Sequence, residues 1–313
     1  MVYPVTADII PLGVPTRGQN SVDALARMDP SYSPYLLNME PAEQYLKLRK
    51  GIVKHCTLPI DPGTGDRLLA YRILPYGTST YALCAQAGPT RAAYVYDVTT
   101  STPSKVADLT GSWGSDSLAL NTIEYAGISA FIGQIGCYAY NGSTWSDMFT
   151  DPGAPKSGCT FKGRVFFGET PATMKYSALA ATTGALTTWD TSTLFRGTGS
   201  ITVLGSLSPP TNRLDDQLLV VGLNTGEILV YAGDYPGATN WQQVAKFDIA
   251  PFLGATPMLS FNNDIWICTK NGIISVRSLF ENSASDMAAI SPSFYINPDI
   301  VKLTPTYTSL RYH

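Results

Sequence analysis

The run Gln217-Leu-Leu-Val-Val-Gly222, Asn224-Thr-Gly226 and Glu227-Ile-Leu-Val-Tyr231, closed by Gly237-Ala-Thr-Asn-Trp241, decides the fold. Two apolar runs of strand length flank an Asn/Gly turn, whose residues tolerate the positive φ that tight hairpins demand. A Gly/Thr turn then delivers a tryptophan. The same order recurs in both directions along the chain. Residues 81–86, Gly88 and residues 92–96 form one such pair, and residues 128–132, Gly133 and residues 137–140 a second. A third is residues 165–167, Gly168 and residues 174–177, and the last is residues 265–269, Asn271-Gly272 and residues 273–276.

The second run of each pair centres on Tyr94, Ala139, Lys175, Leu229 and Ile274, at gaps of 45, 36, 54 and 45 residues. Gly142-Ser-Thr-Trp145 and Gly184-Ala-Leu-Thr-Thr-Trp189 repeat the step that ends in Trp241, at gaps of 44 and 52 residues. Two independent markers with one period indicate repeated supersecondary units, and four short strands every ~40–50 residues is the β-propeller signature. The expected fold is all-β: a propeller-like array of five or six blades over residues 58–313, behind a proline-rich N-terminal arm over residues 1–57. In the arm, Ser21 is placed to cap a short helix over residues 21–27. A plain sandwich also yields strand pairs, but not the recurring turn into tryptophan. Ring closure asks for a strand from the far end of the chain, and residues 300–312 are the candidate.

Composition narrows the function. Charged residues are only 14% of the 313, against a typical ~25%. With 27 Gly, 22 Pro and 18 Tyr, the chain reads as turn-rich β structure. Lys and Arg total 21 against 24 acidic residues, a balance that disfavours a dedicated nucleic-acid binder. His55 and His313 are the only histidines, which leaves no inventory for a His-based triad or a multi-His metal site. Cys56, Cys84, Cys137, Cys159 and Cys268 are dispersed, without a C-x-x-C pair, and read as buried thiols of a reducing compartment. No secretion signal is read in residues 1–17, and residues 125–145 are too interrupted to span a membrane.

Individual motifs resolve to turns and faces. Asp215-Asp216 follows Pro209, Pro210 and Asn212 and reads as a solvated loop, and Asp61-Pro-Gly-Thr-Gly-Asp66 as a hairpin tip. Asn141-Gly-Ser143 fits a glycosylation sequon by pattern only. Lys47, Arg49, Lys50 and Lys54 alternate with Leu46, Leu48 and Ile52 as the outer face of a strand. The three turn tryptophans read as blade-packing residues. No phosphate-cradling loop or nucleophile elbow is present. No enzyme activity, catalytic residue, cofactor or metal is expected.

The most specific text is the arm: Pro15-Thr-Arg-Gly-Gln-Asn-Ser-Val-Asp-Ala-Leu-Ala-Arg-Met-Asp-Pro30, Leu36-Leu-Asn38, Pro41 and Tyr45-Leu-Lys-Leu-Arg-Lys-Gly51. It resembles the opening of a group of bacteriophage tail proteins that includes the tail nozzle, or tail-stabilisation, proteins of short-tailed phages. The matching positions are Thr16, Arg17, Met28, Pro30, Leu37, Asn38, Pro41, Arg49 and Gly51. The resemblance implies a structural virion protein, assembled in the bacterial cytoplasm as a homo-oligomeric ring, commonly sixfold, below the portal and its adaptor. It further implies tail fibre or spike partners, DNA passing through the lumen, and an arm interface at Thr16, Arg17, Met28, Pro30, Leu37, Asn38 and Arg49. A carbohydrate-binding or carbohydrate-degrading propeller on the virion is the alternative. A cellular propeller serving as an interaction platform fits the texture but not the arm.

Overall fold

The structure is a computed structural model, and it describes residues 15, 17–24, 27–36, 39–41, 46–48, 54–59, 68–86, 93–108, 121–133, 136–208, 217–282 and 285–303. In the arm, β1 (Gly18–Gln19) pairs in parallel with β2 (Tyr32–Ser33), and β3 (Met39–Pro41) pairs antiparallel with β4 (Leu46–Leu48). Five antiparallel sheets then follow in chain order among the described residues. The first holds β5 (Leu68–Tyr76), β6 (Ser79–Gln86), β7 (Ala93–Asp97) and β8 (Ser104–Asp108). The second holds β9 (Asn121–Tyr125), β10 (Ile128–Gly133), β11 (Gly136–Tyr140) and β12 (Trp145–Asp147). The third holds β13 (Ser157–Phe161), β14 (Arg164–Gly168), β15 (Thr173–Tyr176) and β16 (Thr187–Asp190). The fourth holds β17 (Ile201–Leu207), β18 (Leu218–Leu223), β19 (Glu227–Ala232) and β20 (Gln242–Asp248). The fifth has only β21 (Met258–Phe261), β22 (Asp264–Thr269) and β23 (Gly272–Ser275).

Each sheet is a meander, and Tyr94, Ala139, Lys175, Leu229 and Ile274 all sit on its third strand. The repeat read from sequence is therefore the repeat of sheets, and the fold is the all-β, propeller-like array. First hairpins turn on two residues of positive φ at Ala126-Gly127, Lys162-Gly163 and Asn262-Asn263, the geometry that matches strand twist.

The sheets stack face to face, and the strand period of two sends alternate residues to opposite neighbours. Leu219, Val221 and Leu223 of β18 meet Phe166, Met174 and Tyr176 of the third sheet, whereas Leu218 and Val220 meet Ile265, Ile267 and Ile274 of the fifth. Likewise Ile123, Ala130 and Ile132 face Val165 and Phe167, while Phe131 turns to Leu74, Tyr81 and Leu83. Each such side chain contributes about 1.5–3 kcal/mol on full burial. The tryptophans join neighbouring sheets at their outermost strands. Trp145 opens β12, stacks on Tyr140 at 5.0 Å and meets Tyr81 of the first sheet edge-on at 5.4 Å. Trp241 precedes β20, lies flat on Tyr231 at 5.2 Å and meets Trp189 of β16 at 5.6 Å.

The fifth sheet ends differently. Helices α1 (Val276–Glu281), α2 (Met287–Ile290) and α3 (Asn297–Leu303), with a 3₁₀ turn at Phe294–Ile296, follow β23 in place of a fourth strand. The Asp264 carboxylate accepts from the backbone N–H of Ile265 and Arg277, from Trp266 Nε1 at 3.0 Å and from Ser275 Oγ at 2.6 Å. Ser275 in turn accepts from Ser278 N–H, so the first turn of α1 is fixed. The outer edge of β23 is closed by side chains: Ile273 N–H donates to Ser293 Oγ at 2.9 Å, and Ser291 Oγ donates to the Ile273 carbonyl at 2.7 Å. Asn297 Oδ1 accepts from Ser293 Oγ at 2.5 Å, and a Cβ on Gly272 would fall 2.1 Å from that oxygen. Glycine is required there.

This arrangement corrects the closing strand expected over residues 300–312. Residues 300–303 are helical, with Pro298 in the first turn of α3, where its missing N–H leaves no helical bond unmade. Hydroxyl groups already occupy the β23 edge such a strand would need. Residues 304–312 lie outside the described residues.

Candidate interaction surface

The arm folds back on its own chain. Gly18, at φ +97°, turns the backbone so that Arg17 N–H reaches the Ser31 carbonyl at 2.9 Å and Asn20 N–H reaches that of Ser33 at 2.8 Å. Asn20 is fully buried, and its Oδ1 accepts from the N–H groups of Val22 and Asp23 while its Nδ2 donates to Asp23. The short helix expected from Ser21 is not formed among the described residues, where residues 21–23 are bends. Asn20 takes the capping role. The Ser21 hydroxyl and N–H both go instead to the Tyr295 carbonyl, at 2.9 and 2.8 Å.

Two further contacts fix the arm to the C-terminal segment: Gln19 Nε2 donates to Asp299 at 3.0 Å, and the Tyr32 and Tyr295 rings lie 5.0 Å apart. Within the arm, Leu36 N–H donates to Gln19 Oε1 at 3.4 Å. The Tyr32 hydroxyl raises the Tyr295 phenol above its ordinary range. Arg17 lies 5.9 Å from the Tyr32 ring centre and 3.9 Å from Asp29. The Ser31 hydroxyl, then its backbone N–H, hold the Asp29 carboxyl below its ordinary value.

Of the expected interface residues, the structure places Arg17 and Pro30 on the exposed side of this clasp and Met28 half-buried in it. Thr16, Leu37, Asn38 and Arg49 lie outside the described residues, as do Asp215-Asp216 and residues 61–66. Gln19, Ser21, Tyr32, Tyr295 and Asp299, which do the docking, are not among the expected interface residues. The aromatic-dense Phe294-Tyr-Ile296 was the available signal.

Exposed large apolar side chains concentrate here. Val22, Tyr35, Met39, Tyr295, Ile296 and Val301 belong to the arm or the helices, half of the twelve on the described surface.

Two concave regions lie elsewhere. The first strands β9, β13, β17 and β21 line an axial pocket of about 200 Å³, with Glu124 the single carboxylate among its described lining residues. Cys159 lines it as well, and burial pushes that thiol up, away from the reactive thiolate. A shallower cleft of about 550 Å³ lies between the β5–β6 and β9–β10 turns, bounded by Tyr76, Glu124 and Tyr125. All five cysteines are free, and among the described residues no three His, Cys, Asp or Glu groups gather to hold a metal. Asn141 Oδ1 accepts from the N–H groups of Ser143 and Thr144, so the sequon is built as a turn.

A buried ionic knot ties the fourth sheet to the loop that connects it with the third. Glu227 pairs with Lys246 and accepts from the N–H groups of Arg196 and Gly197, while Lys246 also reaches the Leu194 carbonyl at 3.3 Å. Burial raises the Glu227 carboxyl, but Lys246 and the two N–H groups outweigh it and leave the net shift downward. These groups neutralise one another and tie a loop to a sheet.

No protein-family model matches the sequence, and no curated protein matches it. Among solved structures, BBS1N in complex with ARL6DN aligns at 13% identity over 63% of this chain and 59% of that one, with a TM-score of 0.35. The GH43 β-xylosidase/α-arabinofuranosidase CoXyl43, from a compost microbial metagenome, aligns at 10% identity over 65% and 85%, with a TM-score of 0.35. The polysaccharide lyase Uly1 aligns at 12% identity over 77% and 60%, with a TM-score of 0.36. The alignment with the first and the last of these spans about three fifths of their length. So loose a likeness says nothing of what this chain does. The sheets and their order define the fold.

Proposed function

We propose that this chain is a structural virion protein, a subunit of a phage tail-channel ring that meets its neighbours through the arm and the C-terminal helices. The observation that carries the reading is the coincidence of two signals on one surface. Residues 15–51 bear the resemblance to tail nozzle proteins, and residues 17–39 with 295–301 hold half of the exposed large apolar side chains. Monomeric soluble proteins rarely leave such groups gathered together, so a partner surface is their ordinary explanation. A second copy of the chain is the partner a ring requires, through a heterologous contact whose rotation closes.

A mechanical role also fits the chemistry. Interlocked sheets make a stiff wall, and the modest acidic balance lets DNA pass without adhering to it. The axial pocket has one carboxylate among its described lining residues, and hydrolysis of a glycosidic bond ordinarily uses two. The portal adaptor above and a fibre or spike below are the further partners of such a ring.

The test is the assembly state of the purified chain by sedimentation and native mass spectrometry. The proposal expects a closed ring whose formation is lost when Tyr35 and Val301 are changed to serine, two exposed residues whose described hydrogen bonds, the Tyr35 backbone with Ser33, do not involve the side chain replaced. A chain that remains monomeric at all concentrations, with and without its portal adaptor, contradicts it.

The second reading, a glycan-binding propeller, is favoured by the cleft of Tyr76, Glu124 and Tyr125. Two phenol rings offer stacking faces and the carboxylate an acceptor for sugar hydroxyls. Binding of the isolated chain on a glycan array, abolished by Tyr76→Ala, would establish it.

A further inference from the structure

The sequence holds two Asn-Gly dipeptides, Asn141-Gly142 between β11 and β12 and Asn271-Gly272 at the turn from β22 into β23. Glycine after asparagine leaves the backbone nitrogen its least hindered approach to the side-chain amide carbon, since no Cβ stands in the way. Both glycines have positive φ, +94° and +122°. In every other respect the fold holds the two dipeptides in opposite ways.

At the first, Asn141 Oδ1 accepts from Ser143 N–H at 3.0 Å and from Thr144 N–H at 2.9 Å. Those donors lie two and three residues ahead, so the side chain is folded over the peptide between, that of Gly142. Residues 141–144 are exposed and belong to no strand. Asn141 N–H reaches the Thr144 carbonyl at 3.3 Å, which closes the turn. The Gly142 N–H and the Asn141 Nδ2 group donate no described hydrogen bond, so both are free to react.

At the second, the fully buried Thr269 clamps the dipeptide from both ends. Its hydroxyl accepts from Asn271 N–H at 3.2 Å and donates to the Gly272 carbonyl at 2.8 Å. Gly272 opens β23 as the ladder partner of Thr269, with Asn297 packed against the space a Cβ would fill. Its nitrogen can swing toward the Asn271 side chain only if this end of the ladder opens first, and that opening has its own free-energy cost.

We propose that Asn141 is a site of self-modification, at which the chain converts this amide to an aspartyl or isoaspartyl residue. The Gly142 nitrogen gives its proton to hydroxide and forms a bond to Asn141 Cγ, while the carbonyl electron pair moves to Oδ1. That oxyanion lies between the Ser143 and Thr144 N–H groups, which already point at it. Collapse expels Nδ2, which takes up a proton and leaves as ammonia, and a five-membered succinimide remains. Water then adds at one of its two carbonyls. Opening at Cγ gives aspartate, and opening at the Asn141 main-chain carbonyl gives isoaspartate, with the backbone running through Cγ. One water is consumed and one ammonia released, and nothing is oxidised or reduced. The isoaspartyl form adds a methylene to the backbone just ahead of Trp145, which meets Tyr81 of the first sheet. The turn also lies against that sheet, since a Cβ on Gly142 would fall 2.8 Å from the Tyr76 hydroxyl. The joint between the first and second sheets is therefore where this protein ages, whether or not the chain forms a ring.

Two measurements on the full wild-type chain test it. The protein is incubated above neutral pH, in buffer and in unfolding concentrations of guanidinium, and sampled over time by peptide mapping. Conversion is read as the mass gained when OH replaces NH₂, and the unfolded rates normalise the two sites. In the folded chain Asn141 should keep its unfolded rate or exceed it, while Asn271 should fall at least about tenfold below its own. Folding that slows Asn141, or equal normalised rates at the two sites, overturns the proposal. Electron-transfer fragmentation of the converted peptide then separates the routes. Isoaspartate and aspartate together are expected at position 141, and aspartate alone would mean direct hydrolysis by water and overturn the attack by Gly142.

Discussion

The fourth and fifth sheets use similar residues to opposite ends. In the fourth, every residue of β18 is buried, because a sheet lies on each side and alternate residues serve each neighbour. In the fifth, β21 presents Met258 to its neighbour and leaves Leu259 and Phe261 outside. Burial in this fold is thus conferred by stacking position and not by strand composition. The end sheet needs other devices, and it has hydroxyl groups along one edge and helices beyond them.

The contrast can be broken first at its buried end. Leu219→Ala should cost about 3 kcal/mol, because a side chain packed between two sheets leaves a cavity that neither can fill. Urea unfolding monitored by tryptophan fluorescence measures this, and a loss under about 1 kcal/mol would show the fourth sheet to be less tightly enclosed than its packing implies.

A somewhat smaller effect is expected at the ionic knot. Lys246→Ala leaves Glu227 with its two backbone donors but no counter-charge, at a cost of about 2–3 kcal/mol. The acid side carries a signed prediction. The folded-state Glu227 carboxyl lies below its ordinary value, so its stabilisation is complete above the ordinary carboxylate range and is lost as pH falls through the folded value. With Lys246 removed, that loss should begin at higher pH. Stability profiles of the two proteins that coincide below neutrality would contradict this.

How legible this was depended on where a strand sits. Residues 217–222 and 227–231 announce themselves as continuous apolar runs because both faces of their strands are enclosed. First strands were harder. β13 reads Ser157-Gly-Cys-Thr-Phe161, with small and polar residues where it lines the axial pocket, so no strand pattern stands out. The helices after Val276 span four to seven residues, too short for a 3.6-residue period to repeat. Ser21 and Asn20 are adjacent and both competent caps, and only the position of Tyr295 decides between them. The clasp is a long-range contact between residues 19–32 and 295–299, for which no local pattern exists.

At the fifth sheet, Ser293→Ala should cost about 1–2 kcal/mol by leaving the Ile273 N–H without its acceptor. Hydrogen exchange at Ile273 should accelerate while the amides of β18 are unaffected. Equal acceleration in both sheets would mean that the end sheet does not open independently.

The smallest effect belongs to the exposed clasp. Asp29→Asn removes an ion pair whose two partners are largely solvent-exposed, and thermal unfolding should move within the scatter of surface substitutions. A large shift would mean that the arm supports the stacked sheets directly.

The functional account stands or falls with the particle. Quantitative mass spectrometry of purified virions, counting this chain against the portal subunit, tests it most directly. A copy number near half that of a twelvefold portal is the predicted result. Absence from the particle, or a copy number that tracks the capsid, would contradict it.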